Sequence, residues 1–332
     1  MEFQTRIPEF NQQFSWHDYN ESQTKEKSIF VRLLKEVCSL IEEPVHQKGR
    51  KPKSLKDIIY VICLRTYLNM SARRVESDLR IAKEGNYIHQ DIAFNTLLDH
   101  LERQDLKPIF KELIEISALP LKMVEADFAI DSTGFSTSRY KTYFSMVHLK
   151  ESKWRQYRKC HAVCGVKTNI ITSVDVTEGY VNDQTMFNPL AKDTARNFEI
   201  RDFCADKGYL SSKHFALIRD LGGQAFIPFK SNTSGKSSDT DRSIFKKMFR
   251  YFKEHQEEYM DHYHKRSNIE SCFSMIKRKF GNNVRCKKET SQDNEILAKV
   301  LCHNLCVLIQ EIFLNKINID FNLCAKQYVA RD

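Results

Sequence analysis

Two hydrophobic textures divide the chain near residue 120. Before it, apolar positions recur at helical spacing. IFVRLLKEVCSLIEE, from Ser28 to about Glu43, predicts one amphipathic helix, and the polar residues 1–25 ahead of it are expected to be loosely held. HQKGRKPKS, broken by Gly49 and Pro52, reads as a basic linker. Three short amphipathic stretches follow: LKDIIYVICLRTYLN, SARRVESDLRIAKE and IAFNTLLDHLERQ. They are separated at Ser71 and at Gly85-Asn86, with Ser71 and Asp91 as N-cap candidates. Lys51, Lys53, Arg65, Arg73, Arg74 and Arg80 make this helical unit basic. That suits either a helix-turn-helix crossing a DNA groove or a plain helical bundle.

After Pro120 the pattern becomes β-like. ADFAIDSTGF is an apolar run ending in a carboxylate and a glycine turn, as in a buried strand. HAVCGV and NIITSVDV form a hairpin about Lys167-Thr168, and Asp183 is expected to cap a helix from Gln184 to Arg196. EIRDFCADKGYL is a further strand ending in an acid. SSKHFALIRDLG is a helix stopped by Gly222-Gly223, QAFIPFK a strand, and SNTSGKSSDTDRS a flexible loop. A charged helix and a long apolar one, Ile296 to Phe313, close the chain. The expected fold is therefore α/β: a mixed five-stranded sheet flanked by helices, at 121–316, after an all-α region at 26–120 and before a C-terminal tail at 317–332. No internal repeat is visible.

At 332 residues the chain can bury a large core, and its net charge of +9 favours anionic partners without naming one. The charge is concentrated. His262 to Lys288 holds eight Lys or Arg and one acid, Glu270; Arg139 to Lys159 holds seven and one acid, Glu151. The second run is interleaved with Tyr140, Tyr143, Phe144, Trp154 and Tyr157, a mixture that suits a groove for a nucleic-acid backbone. A solvated face would look similar in either run alone. Ten cysteines and no apolar leader predict a reducing, cytoplasmic compartment. No apolar run approaches the ~18 residues of a membrane span, so a soluble chain is expected. Cys160-His161-x2-Cys164 and Cys302-His303-x2-Cys306 have metal-like spacing, but neither has a partner pair to complete a zinc tetrahedron.

The most specific string is Tyr263-x2-Arg266-x3-Glu270-x6-Lys277. On one continuous helix these positions fall within an arc of about 60°, apart from the apolar Ile269, Cys272, Phe273 and Ile276. A carboxylate flanked by cations suits a metal ion handling a phosphodiester; the plainer alternative is an exposed helix with an Arg266–Glu270 pair. Asp131 and Asp206, at predicted strand ends, would emerge beside each other if their strands are parallel neighbours. Glu270 would then complete three carboxylates able to hold two Mg²⁺ ions, with Lys207, Arg266 and Lys277 neutralising phosphates. Asp131 could instead form a turn, and Asp206 could cap one or pair with Lys207. Asp127, Asp175 and Asp202 also lie near strands, and position does not choose among them.

The four-residue string is similar, at every position, to the signature of bacterial insertion-sequence transposases of the DDE class. Asp131 in AIDSTG and Asp206 in CADKGY resemble that family's first two acids. VTEGYVNDQTMF and GGQAFIPFK resemble its connecting regions, and likeness extends over roughly residues 50 to 315. The resemblance implies a ribonuclease-H-like core with Asp131, Asp206 and Glu270 as catalytic metal ligands for Mg²⁺, with Mn²⁺ able to substitute. It implies cleavage at transposon ends and transfer of 3′-hydroxyls into target DNA by a homodimer on double-stranded DNA. Tyr263, Arg266, Lys277 and Lys207 would hold phosphates, and Arg73 and Arg74 would belong to the DNA-binding helices. Some relatives carry a long β-rich insertion before the glutamate that helps hold a flipped base and a hairpin intermediate. Here 63 residues separate Asp206 from Glu270, too few to add it to the helix, strand and loop already there. A DNA-binding protein that no longer cuts, and a nuclease that does not join, are the alternatives.

Overall fold

The computed structural model describes residues 15–46, 48–49, 52–137, 157–233 and 242–329. Lys51, most of the basic aromatic run with Trp154, and most of the Ser-rich loop lie outside them. Helix α1 (Trp16–Ser39) starts well before the apolar pattern does, because Ser15 accepts the Asp18 amide at 3.2 Å and Lys25 pairs with Glu21. Residues 16–25, expected to be loose, are thus helical. Its Phe30, Leu33, Leu34 and Val37 fall on one buried face. Helices α2 (Leu55–Tyr67), α3 (Glu76–Glu84), α4 (Phe94–Leu101) and α5 (Leu106–Ala118) follow as the amphipathic stretches predict. Asp91 does not cap α4; it pairs with Lys83, and Glu76 accepts the Phe94 amide instead.

The sheet has five strands in the order β3-β2-β1-β4-β5: β1 (Asp127–Ser136), β2 (Tyr157–Gly165), β3 (Ile171–Glu178), β4 (Asp202–Ala205) and β5 (Gln224–Phe226). The first three are antiparallel neighbours, whereas β1, β4 and β5 run parallel. This mixed sheet with flanking helices is the ribonuclease-H-like arrangement. The hairpin turn between β2 and β3 is built on a residue outside it. Buried Glu125 accepts the Lys167 and Thr168 amides and the Thr168 hydroxyl at 3.1, 2.6 and 2.7 Å. Gly165 is required there, since a Cβ would sit 2.3 Å from the Glu125 carboxyl carbon.

Helices α6 (Gln184–Asn197) and α7 (Ser212–Asp220) match their predicted positions. Two helices not foreseen, α8 (Arg242–Glu254) and α9 (Gln256–His264), lead into α10 (Ser267–Phe280). Among the described residues between Asp206 and Glu270, β5 is the only strand, so no β-rich insertion is found there. The last long helix, α11 (Glu289–Leu314), is long and apolar enough to cross a membrane, contrary to the sequence reading, but most of it is buried inside the fold. Its Asn304 reaches the Ile171 amide and carbonyl of edge strand β3 at 2.9 and 2.8 Å and the Ser117 hydroxyl of α5 at 3.0 Å. One hydrophobic core runs from Phe30 through the sheet to Ile309.

The C-terminal segment carries a helix, α12 (Phe321–Val329), whose Tyr328 hydroxyl donates to buried Glu115 of α5 at 3.1 Å. Burial first, and Asp193 second, raise the Glu115 pKa to about 7. A raised carboxyl pKa contributes stability that is complete below the unfolded value and is lost as pH rises through the folded one. Chemical denaturation should therefore show stability falling by up to about 3 kcal/mol between about pH 4.5 and pH 7.5. The Glu115→Gln variant should lose most of that slope; an unchanged slope would locate the titrating group elsewhere.

Candidate active site

Parallel pairing of β1 with β4 runs from Asp127↔Asp202 to Ile130↔Ala205, so Asp131 and Asp206 are the next residues on neighbouring strands. Asp206 leaves its strand there. Asp131 does not: β1 continues to Ser136 because β2 still pairs with it, so Asp131 lies within a strand and forms no turn. It nevertheless sits at the carboxyl limit of the parallel ladder. Asp206 accepts its successor's amide, Lys207 N, at 2.7 Å and caps the short 3₁₀ turn Lys207–Tyr209.

The signature string is not one helix. Helix α9 ends at His264, the chain turns through Lys265-Arg266, and α10 begins at Ser267, so Tyr263 and Glu270 lie on different helices. The turn matters because its two cations go to opposite ends of the sheet. Lys265 reaches Asp127 and Asp202 at 2.8 and 2.6 Å, at the amino end of β1 and β4. Arg266 donates from Nη2 to Asp131 at 2.9 Å and from Nη1 to Glu270 at 2.6 Å. The i,i+4 pair of the plain alternative is present, and the same guanidinium also binds the sheet. Arg266 Nε is buried and meets no acceptor among the described residues.

Partnering separates the acids that sequence position did not. Asp127 is held bidentately by Arg201 at 2.7 and 2.6 Å as well as by Lys265. Asp202 also faces His262 Nδ1 at 2.5 Å, and Asp175 lies between Lys107 and Lys111 at 2.6 and 3.1 Å. These three are saturated structural carboxylates. Asp131 is mostly buried, and burial raises its pKa; the Ser132 amide and Arg266 oppose the rise, while Asp206 and Asp183 add to it. Burial would lower the Arg266 pKa, but Asp131, Tyr263, Glu270 and Asp206 together raise it. Glu270 is the most open of the trio, with 59% of its side chain exposed. The carboxylate oxygens are not all within 4.8 Å of one another. The donor set is nonetheless all oxygen, as a hard divalent cation requires.

The other predicted residues divide into three groups. Half-buried Tyr263, at the end of α9 just before the turn, has its hydroxyl pKa raised first by burial and then, against Arg266, by Asp206, Glu270 and Asp131. Lys277 lies farther along β1: it donates to Thr133 Oγ1 at 2.6 Å, 5.5 Å from the Phe135 ring centre, and burial lowers its pKa. Lys207 is exposed next to Asp206. Arg73 and Arg74 are exposed in the helical region and make no contact with the acids among the described residues. The two Cys-His stretches assemble no three-ligand group among the described residues, and all ten cysteines are free and buried.

Two residues at this edge were not foreseen as neighbours of the acids. Asp183 occupies the N-cap position of α6 but makes no capping bond, contrary to expectation; it pairs with Lys159 at 2.9 Å and faces His161 Nδ1 at 3.3 Å. Tyr209 is buried, its hydroxyl meets no hydrogen-bond partner among the described residues, and burial followed by Asp183, Asp131 and Asp206 raises its pKa.

A family model described as the transposase DDE domain matches residues 123–305. The cryo-EM structure of a piggyBac transposase synaptic complex with hairpin DNA superposes over 92% of this chain and 77% of its own, at 10% identity and a TM-score of 0.42. No curated protein matches the chain in sequence.

The contrast between acids makes a stability prediction. Asp127→Asn strips one member from a buried charge cluster and should destabilise the protein by about 3 kcal/mol in urea titrations. Asp131→Asn removes a carboxylate that burial and its acidic neighbours disfavour, so it should shift stability by less than about 1 kcal/mol. Equal losses in both variants would contradict this division of roles.

Proposed function

The chain belongs to the transposase DDE domain family, and on that premise we propose that it is an insertion-sequence transposase that cuts transposon ends and joins their 3′-hydroxyls to target DNA. The observation that supports this reading is the edge where Asp131 and Asp206 follow the last paired residues of neighbouring parallel strands and Arg266 ties Glu270 to Asp131. In this reading Asp131, Asp206 and Glu270 hold Mg²⁺ or Mn²⁺. When bound, the metal supplies an activated water or 3′-hydroxyl and stabilises the leaving oxygen of an in-line displacement.

The chain's own groups position the DNA. Arg266 has a buried Nε without an acceptor, so it keeps a donor for a phosphate oxygen while it balances the acids. Tyr263, beside it, offers a hydroxyl, and exposed Lys207 adds a cation next to Asp206. Lys277, packed against β1, extends the positive surface along the strand. The double-stranded substrate would be the terminal inverted repeats, bound by two copies of the chain, with Arg73 and Arg74 on the helical region contacting the duplex away from the cut.

The test is nicking of a duplex carrying the inverted repeats that bracket the gene, followed by joining assays with pre-cut 3′-hydroxyl ends. Strand cleavage should require Mg²⁺ or Mn²⁺, and Asp131→Ala, Asp206→Ala and Glu270→Ala should each reduce it by at least ~100-fold while duplex binding persists. Binding without metal-dependent cleavage by the unaltered protein would sink the enzyme assignment. Cleavage without joined product would leave a nuclease.

A further inference from the structure

Arg65, one of the cations that make the helical region basic, is buried on α2, with 4% of its side chain exposed. Its Nε and Nη1 meet no hydrogen-bond acceptor among the described residues. Its nearest carboxylate, Glu295, is 3.8 Å from Nη2, and that carboxylate is already engaged by the Arg285 and Cys286 amides at 3.0 and 3.1 Å. A buried guanidinium with unmatched donors is costly unless something fills them.

The side chain lines a cleft of about 270 Å³, together with Ser71, Arg73, Phe94, Leu98 and Arg285. Three segments distant in sequence supply its cations. Arg73 comes from the turn before α3, its guanidinium 5.0 Å from the Phe94 ring centre, an arrangement that orients the planar fork while leaving its N–H edges available. Arg285 comes from the loop after α10 and is steadied by Asn69, whose carbonyl and side-chain oxygens both accept from Nη2 at 2.6 Å. Buried Lys299 lies close by. Its pKa is lowered to about 8, by burial first and with Arg285 and Arg65 contributing, whereas Glu295 opposes the fall. Cations therefore dominate a concave site whose deepest member has donors to spare.

We propose that the cleft formed by Arg65, Arg73 and Arg285 binds a phosphate group of the DNA backbone. This rests on the DNA-transposase reading for its partner and on the cleft's own chemistry for its ligand. Guanidinium forks match the paired oxygens of a phosphate, and the apolar Phe94 and Leu98 edges can pack on the adjoining sugar. Because Arg285 follows α10 and Arg73 belongs to the helical region, one bound phosphate would bridge both parts of the protein. A free phosphate or a mononucleotide offers the same oxyanion, and the test separates these sources.

The full chain would be compared with Arg73→Gln and Arg65→Lys. The first alters an exposed residue, and the second keeps the charge beside Glu295 while removing the fork. One arm measures thermal stabilisation by inorganic phosphate at fixed ionic strength; the other measures affinity for a mixed-sequence duplex, without divalent metal, across a salt series. The unaltered chain should be stabilised by phosphate and both variants much less so. Duplex affinity should fall about tenfold, with the slope of log affinity against log salt reduced by about one. Loss of phosphate stabilisation with unchanged duplex binding would assign the cleft to a small phosphate ligand and overturn the DNA contact. No change in either arm for Arg73→Gln, whose fold is not at stake, would overturn the site altogether. Neither arm uses cleavage, so a chain that binds duplex through this cleft but never cuts would defeat the transposase reading and leave the cleft standing.

Discussion

Parallel pairing of four residues of β1 with four of β4 is the constraint on which the candidate site depends. Side chains that leave two parallel strands just past the ladder emerge at the same edge, and here both are aspartates. The pairing is short because β4 ends at Ala205, whereas β1 is held onward by β2 to Ser136. One acid is thus fixed within a strand and the other sits on a capped turn. The turn and helix α10, from the far end of the chain, bring Glu270 to this edge through Arg266.

The two ends of the same pair of strands are treated oppositely. At the amino end, Asp127 and Asp202 are surrounded by Arg201, Lys265 and His262, and the cluster anchors the turn between α9 and α10 to the sheet. At the carboxyl end, acids outnumber the cations that touch them, and burial leaves Asp131 reluctant to ionise. Such an arrangement favours an added positive charge over a self-contained ion-pair network. The fold tolerates it because the saturated cluster and the apolar core on either side hold the strands in place.

The sheet was legible because its strands are short apolar runs that end in acids or turn residues, but the runs alone did not separate Asp131 and Asp206 from Asp127, Asp175 and Asp202; the family resemblance singled them out. The break at Lys265-Arg266 was not legible. Helical spacing continues through it, and only the ion pairs at both ends of the sheet reveal why the chain turns there. Asp183 illustrates a related limit: an aspartate before a helix is the usual cap, and nothing local signals that Lys159 draws its carboxylate away. Arg65 shows the converse, since a cation near the end of an apolar helix is ordinarily a surface residue until another segment covers it. The start of α1 escaped notice because it rests on a serine cap and charged pairs, which leave no apolar stripe.

Arg266 grips two carboxylates of unequal exposure, and they differ in how firmly they are held. Its bond to Asp131 is sheltered from water, while its bond to Glu270 lies open to solvent and to screening ions. When the guanidinium is offered a competing anion, the outer bond yields first. The Glu270 side chain, at the start of α10, is then the one free to swing, while Asp131 stays fixed in its strand and the sheet need not move.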